Sequence, residues 1–280
     1  ALPAAGPAAS SRFARQAESA RIALDRMWCL ADDFGRYRMA VLAVPSLGRT
    51  AMLLASHPRT SDEARALGRA IAAAAEGCSD ACDIAQALLE PSRTLDLEAF
   101  EAGGLHRMAT LDYLERHLPR AGVLEESPVP AGWTIEPLAD AAVLSGGDPH
   151  ALEPACRAEI AGVLDESYAD TRDCPGLAGM RRTSDVLDGH FGLGAKPRFW
   201  LAARRGGITR GVCLMNASTD GGSAELVYLG LARDARGTGI ARALLAAGLR
   251  ACSLARVSTV SLAVDAGNEP ARRLCESQGF

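Results

Sequence analysis

Residues 233–246 read RDARGTGIARALLA and follow directly on the apolar stretch AELVYLGLA at 224–232. The first part reads as a strand over 223–231. Ile240, Leu244, Leu245 and Leu249 recur at helical spacing and predict a helix over about 239–254. Between the two lie two glycines around one threonine. A strand that passes through such a loop into a helix gathers unpaired backbone N–H groups at the helix N-terminus. The helix dipole points there as well, and the geometry suits an anion.

Working outward, the C-terminal half reads as mixed α/β. GWTIEPLAD (132–140) alternates like a short first strand. HALEPACRAEIAGVLDESY (150–168) carries Ile160, Val163 and Leu164 at helical spacing, and a second helix is expected within 180–191. RFWLAARRGGITRGVCLMNAS (198–218) is a hairpin with Gly-Gly as its turn signal. VSTVSLAVDA (257–266) reads as a buried strand. EPARRLCESQGF (269–280) is a last helix, with Pro270 at a tolerated first-turn position.

The N-terminal half repeats that order more faintly. MAVLAVPSLGRTAMLLAS (39–56) is a hairpin turning at PSLGR. Thr60 and Glu63 form a capping-box pattern for the helix that follows. CDIAQALLE (82–90) reads as a strand and LEAFEAGGL (97–105) as a helix end. FEAGGL (100–105) also resembles CESQGF (275–280), each having Glu, two residues, Gly and a large apolar residue. An internal repeat and chance convergence of two helix ends both fit six positions; the matching element order favours the repeat.

A chain of 280 residues is long enough for two domains. The Pro-rich stretch LPRAGVLEESPVPAGW (118–133), with Pro119, Pro128 and Pro130, marks the linker. The expected organisation is a flexible leader over 1–20, a first domain over 21–117, a linker over 118–131 and a second domain over 132–280. The net charge is −4 with no basic block, which argues against a nucleic-acid groove or an anionic membrane surface. Lys196 is the only lysine, the mark of a GC-rich bacterial coding sequence. The eight cysteines include no CxxC pair, and no histidine stands at metal-site spacing from Cys78 and Cys82. No metal is expected, and the thiols are expected to be reduced. No run of 18 apolar residues spans a membrane, so a cytoplasmic protein is expected.

The loop itself excludes two familiar anion sites. A dinucleotide fingerprint lacks its third glycine, since Arg242 stands there, and no Gly-Lys-Ser/Thr follows for a Walker loop. What remains is R-x-x-G-x-A over Arg236–Ala241. With it the chain resembles the GNAT superfamily of acetyl-CoA-dependent N-acetyltransferases, whose pyrophosphate loop is written Q/R-x-x-G-x-G/A. LAVDAGNEPARRLCESQGF (262–280) is similar to the family's next segment, with Asn268, Ala271, Leu274, Gly279 and Phe280 in register. The two segments cover about 60 residues, and the element order extends the likeness over most of 132–280.

The resemblance implies a fold and a chemistry. The fold is an α/β (α+β) one, a mixed and mostly antiparallel sheet flanked by helices, in two related domains. The co-substrate is acetyl-CoA. Its pyrophosphate would be held by backbone N–H groups of Arg236, Gly237, Thr238, Gly239, Ile240 and Ala241. Main-chain groups of Leu229, Gly230 and Leu231 would meet the pantetheine arm, and Asn268 completes the cofactor set. Glu225 occupies the position of the family's strand carboxylate and would be the base. Strand alternation places it on the face of Leu229 and turns Tyr228 away. Where the family often has an acidic Tyr, this chain has Cys275, which is a candidate acid or a small buried hydrophobe. Tyr168, Asp170 and Asp173, with Arg181 and Arg182, are candidate acceptor contacts or a solvated loop, and His190 reads as structural.

The N-terminal half has no glycine pair at the corresponding place. The resemblance makes it a degenerate copy that does not bind CoA, as in mycothiol synthase-like tandem proteins. HRMATLDYLERHL (106–118) reads as the first copy's two closing strands. The second copy's closing strands are expected to be missing after Phe280 or supplied by another segment. The implied function is acetyl transfer to an amine of a small molecule or a protein, by a monomer or homodimer. The alternatives are a non-catalytic acyl-CoA-binding or regulatory protein, and an N-terminal partner-binding domain of unrelated fold.

Overall fold

The computed structural model describes residues 11, 12, 14, 15, 17, 18, 22–119, 124, 126–139, 151–191 and 195–280. Most of the leader expected over 1–20, and residues 120–123 and 125 of the expected linker, lie outside them. The chain divides into two compact units, Ala1–Arg107 and Met108–Phe280.

The first unit contains β1 (Met27–Ala31), β2 (Tyr37–Ser46), β3 (Thr50–Ala55), α1 (Ser61–Glu76), β4 (Ile84–Gln86) and α2 (Thr94–Ala102). Its sheet runs β1-β2-β3-β4. The first three strands are antiparallel, and β4 pairs parallel with β3. Met39, Val41 and Ala43 alternate toward the helices and pack with Leu67, Ile71 and Phe100. The hairpin at PSLGR is as expected, β1 has no counterpart in the sequence reading, and β4 is shorter than CDIAQALLE suggested.

The second unit contains β5 (Leu111–His117), β6 (Trp133–Pro137), α3 (Pro154–Tyr168), α4 (Thr183–Gly189), β7 (Ala195–Arg205), β8 (Ile208–Ser218), β9 (Ser223–Leu231), α5 (Ile240–Leu254), β10 (Thr259–Asp265) and α6 (Glu269–Ser277). The six strands are ordered β5-β10-β9-β8-β7-β6. Strands β6 to β9 form an antiparallel meander, and α5 carries the chain across to β10, parallel to β9. One face packs Met215, Leu226, Val260 and Leu262 under Leu244, Leu245 and Leu249 of α5. The other packs Trp200, Val212 and Leu214 against Ile160, Leu164 and Leu187 of α3 and α4. The central strand β8 is therefore apolar on both faces, and its sequence runs nearly unbroken in small and apolar residues.

Two boundaries differ from the sequence reading. HRMATLDYLERHL forms one strand rather than two, and that strand belongs to the second sheet. There β5 pairs antiparallel with all seven residues of β10, from Thr259 opposite His117 to Asp265 opposite Leu111. In the first sheet the strand that corresponds to β10 is β4, whose three residues are too few to template a strand of seven. The second unit accordingly begins near 108, where the sequence reading ended its first domain at 117. The β10 edge, expected to want its closing strands after Phe280, is covered by β5.

The order β2-β3-α1-β4-α2 recurs as β8-β9-α5-β10-α6, with the same parallel and antiparallel relations. The short sequence repeat marks how both last helices end. Leu105 N donates to Phe100 O at 3.0 Å and Phe280 N to Cys275 O at 3.2 Å. Each turn passes through a left-handed glycine, Gly104 (φ 84°) and Gly279 (φ 81°), a Schellman stop in each copy.

Candidate cofactor and acceptor site

Strands β9 and β10 pair only where Ser223, Ala224 and Glu225 meet Thr259, Val260 and Ser261. Both continue, β9 to Leu231 and β10 to Asp265, so they splay into a wedge toward their C-terminal ends. Ligands of α/β sheets enter at such ends.

Register shows which backbone groups line the wedge. Ala232 N donates to Arg210 O at 2.8 Å, and from that pair the antiparallel alternation runs back along β8 and β9. It makes Gly230 opposite Val212 a hydrogen-bonded pair and turns the backbone groups of Leu229 and Leu231 away from β8, toward the wedge. Of the three expected main-chain contacts, Leu229 and Leu231 have no strand partner on that side among the described residues, and Gly230 is committed to β8.

A bulge changes the faces. Tyr228 stands opposite Leu214 and Leu226 opposite Met215, which leaves Val227 unpaired in register. Ala224, Leu226, Leu229 and Leu231 pack on the α5 side, whereas Val227 and Tyr228 pack on the α3 side. The simple alternation expected from sequence is therefore corrected. Glu225 shares its face with Tyr228, and Leu229 faces the opposite way. A Cβ on Gly230 would fall 2.7 Å from the Tyr228 hydroxyl and 2.8 Å from Cζ, so glycine there leaves room for the ring.

At the mouth of the wedge lies the loop Arg236–Ala241. Gly237 (φ 75°) and Gly239 (φ 86°) adopt the left-handed conformation that favours glycine. Nothing stands within 4 Å of where a Gly237 Cβ would point. Among the described residues, the amides of Gly237, Thr238 and Gly239 donate to no protein acceptor. Helix α5 has no capping side chain and no acidic residue in its first turn. The corresponding start of α1 is closed. There Thr60 Oγ1 accepts from Glu63 N at 3.2 Å, Glu63 Oε2 accepts from Arg59 N at 2.7 Å, and Asp62 and Glu63 add negative charge. An anion is welcome at the second start and repelled from the first.

The α3 side of the wedge holds a polar cluster. The Tyr168 and Tyr228 rings lie 5.9 Å apart, and His190 lies 5.2 Å from Tyr228. The Tyr228 and Ser167 hydroxyls are hydrogen-bonded, and Ser167 Oγ donates to Leu164 O at 2.8 Å. Asp173 Oδ1 accepts from Asp265 N at 3.2 Å, and Cys174 N donates to Asp265 Oδ2 at 3.0 Å. This bolts the loop after α3 to the end of β10. Burial raises the Asp173 carboxyl, and the neighbouring Asp265 charge adds to it. Asp170 lies outward, paired with Arg233. Loss of water at the sheet surface raises the Glu225 carboxyl above its ordinary range.

Burial, helped by the Arg181 charge, pushes His190 down to about 4. The imidazole is neutral at pH 7, and its Nε2 is buried without a partner among the described residues. A histidine whose folded pKa lies below its unfolded value costs stability as pH falls through the window between them. Acid denaturation of the second unit is expected to steepen between about pH 6.5 and 4. His190→Gln should flatten that segment, as thermal melts at a series of pH values would show.

Cys275 is not brought to this cluster. It is 4% exposed in the core on the α5 side, and burial pushes its thiol up to about 11. Glu225 and Cys275 thus lie on opposite sides of the sheet. Asn268 serves α6, its Oδ1 accepting from Ala271 N at 3.4 Å. The sequence reading did not single out Tyr113, Ser167 or Asp265. Tyr113, on β5, is 66% exposed and feels the Glu225 charge. No sequence signal marks it, because LDYLERH does not specify its partner strand.

A mixed sheet whose central parallel pair splays, with an uncapped helix start at the mouth, offers an anion a place at the C-terminal ends of its strands. Residues 164–280 match the model of the acetyltransferase (GNAT) family. The structure of a GCN5-related N-acetyltransferase from Sphaerobacter thermophilus is similar over 96% of this chain and 81% of its own, with a TM-score of 0.59 at 18% identity. A tandem GNAT protein from the clavulanic acid biosynthesis pathway is similar over 93% of this chain and 81% of its own, with a TM-score of 0.55 at 18% identity. These likenesses show the fold: the chain shares the two-domain fold of those proteins. No curated protein matches the chain.

Proposed function

We propose that the second unit transfers an acetyl group from acetyl-CoA to an amine of a small molecule or protein, and that the first unit does not bind CoA. The observation that carries this reading is the contrast between the two helix starts. The α5 start is glycine-flanked, with three amides that have no protein acceptor among the described residues, and the α1 start is capped and acidic. An uncapped, glycine-flanked helix start is a place where a pyrophosphate is stabilised by backbone amides and the helix dipole.

Acetyl-CoA, when bound, supplies an activated thioester. The amides of Gly237, Thr238 and Gly239 hold its pyrophosphate. The Leu229 amide, turned into the wedge, is the donor placed for the carbonyl oxygen as negative charge grows there, a contact commonly worth about 10²–10³ in rate. The acceptor amine enters from the α3 side, where Asp173, Tyr168 and Tyr228 lie. Glu225, on that same face, takes the amine proton directly or through water as the new C–N bond forms; the thioester C–S bond breaks, and CoA would leave as a thiolate that takes its proton from solvent.

A carboxyl whose pKa is raised works as a base only once it has lost its proton. The rate should therefore climb with pH through a range above that of an ordinary carboxylate. Glu225→Gln should lower kcat by about 10²-fold or more and leave acetyl-CoA binding in place. Thiol release measured with a broad amine panel tests the reading. Tight acetyl-CoA binding with no thiol release from any amine would replace it with an acyl-CoA-binding role.

A further inference from the structure

Arg236 opens the cofactor loop, yet its side chain serves a different element. Its Nη2 donates to Ser167 O at 2.9 Å and to Ala169 O at 3.3 Å. These carbonyls belong to the last turn of α3 and the residue after it, where a helix leaves acceptors unsatisfied and favours a cation. Helix α3 has no basic residue of its own in that turn. Three positions before Arg236, Arg233 pairs with Asp170, a residue held at φ 59°. Two arginines of the β9–α5 connection therefore grip residues 167–170 from outside α3. Ser167, which meets the Tyr228 hydroxyl, and Tyr168, which packs on the Tyr228 ring, lie within that grip.

We propose that Arg236 is a positioning residue that couples the cofactor loop to the acceptor side. Backbone amides of the loop hold the phosphates, and the Arg236 guanidinium carries the resulting order to Ser167, Tyr168 and, through them, Tyr228. A filled cofactor loop thereby sets the acceptor face. The inference rests on the acetyl-CoA site proposed above.

The test is hydrogen exchange over residues 165–174 of the full chain, with and without acetyl-CoA, alongside calorimetric binding of acetyl-CoA. The parent is compared with Arg236→Met and Arg236→Lys. In the parent, acetyl-CoA should slow exchange across 167–174 by about fivefold or more. Arg236→Met should still bind acetyl-CoA, within about tenfold of the parent because the coupling is reciprocal, but show no such slowing. In the free state it should exchange about tenfold faster at 167–170. Arg236→Lys, which keeps one donor for the Ser167 carbonyl, should restore part of both effects. A merely structural role would speed exchange along all of α3 and leave the response to acetyl-CoA intact.

Equal slowing in the parent and Arg236→Met overturns the proposal. If the parent binds no acetyl-CoA, the functional reading fails separately. The free-state comparison then decides the grip, and unchanged exchange at 167–170 overturns it.

Discussion

Gly239→Glu is expected to lower acetyl-CoA affinity by at least about 100-fold, beyond ready detection by titration calorimetry. A carboxylate about 5 Å from one phosphate charge costs about 3 kcal/mol at an effective dielectric of 20, which is roughly two orders of magnitude in affinity. It would also claim the free amides at the start of α5 for itself. The left-handed backbone at φ 86° adds strain for any side chain with a Cβ. Gly239→Ala separates the two causes. It carries the strain without the charge, and should lose about 1–2 kcal/mol of stability while keeping measurable binding. Equal affinity in Gly239→Glu and the parent would remove the nucleotide from this loop.

The second large effect concerns a strand from outside the region that resembles the family. Ala266 N donates to Thr110 O and Leu118 N to Ser258 O, both at 2.8 Å. Those two bonds set the alternation along β5, so Leu114 opposite Leu262 is a hydrogen-bonded pair. Leu114 also packs against the core that contains Val260, Leu262 and Val264. Leu114→Pro removes the ladder donor, strands the Leu262 carbonyl and withdraws an apolar side chain together. The combined loss is expected to reach about 3–5 kcal/mol. For a unit of this size that lowers its melting temperature by about 10 °C and weakens acetyl-CoA binding through β10. Differential scanning calorimetry of the full chain would show it, with the first unit's transition unmoved. A substitution that left both transitions in place would mean that β5 is dispensable to the second sheet.

Much of the second unit was legible because its signals are local. The hairpin around Gly206–Gly207, the strand 223–231 and the helix from 240 follow from β-propensity, paired glycines and a 3.6-residue stripe, and the structure has them in those places. The capping box at Thr60 was legible for the same reason, since its bonds span only four residues. The helix stops at Gly104 and Gly279 were written in six residues each.

What escaped the sequence is non-local. An extra residue opposite β8 is invisible in AELVYLGLA, because a bulge is defined by the partner's register. It decided that Tyr228 shares the face of Glu225. The placement of β5 was equally hidden: LDYLERH has the alternation of a strand but names no partner, and a strand pairs with whichever edge offers the longer ladder. Arg236 is the sharpest case. The sequence determined its place in a strand-to-helix turn, through two glycines and the helix that follows. Only the tertiary structure decided that its guanidinium reaches the end of α3, because that contact joins residues nearly seventy positions apart whose nearness depends on how α3 packs across the sheet.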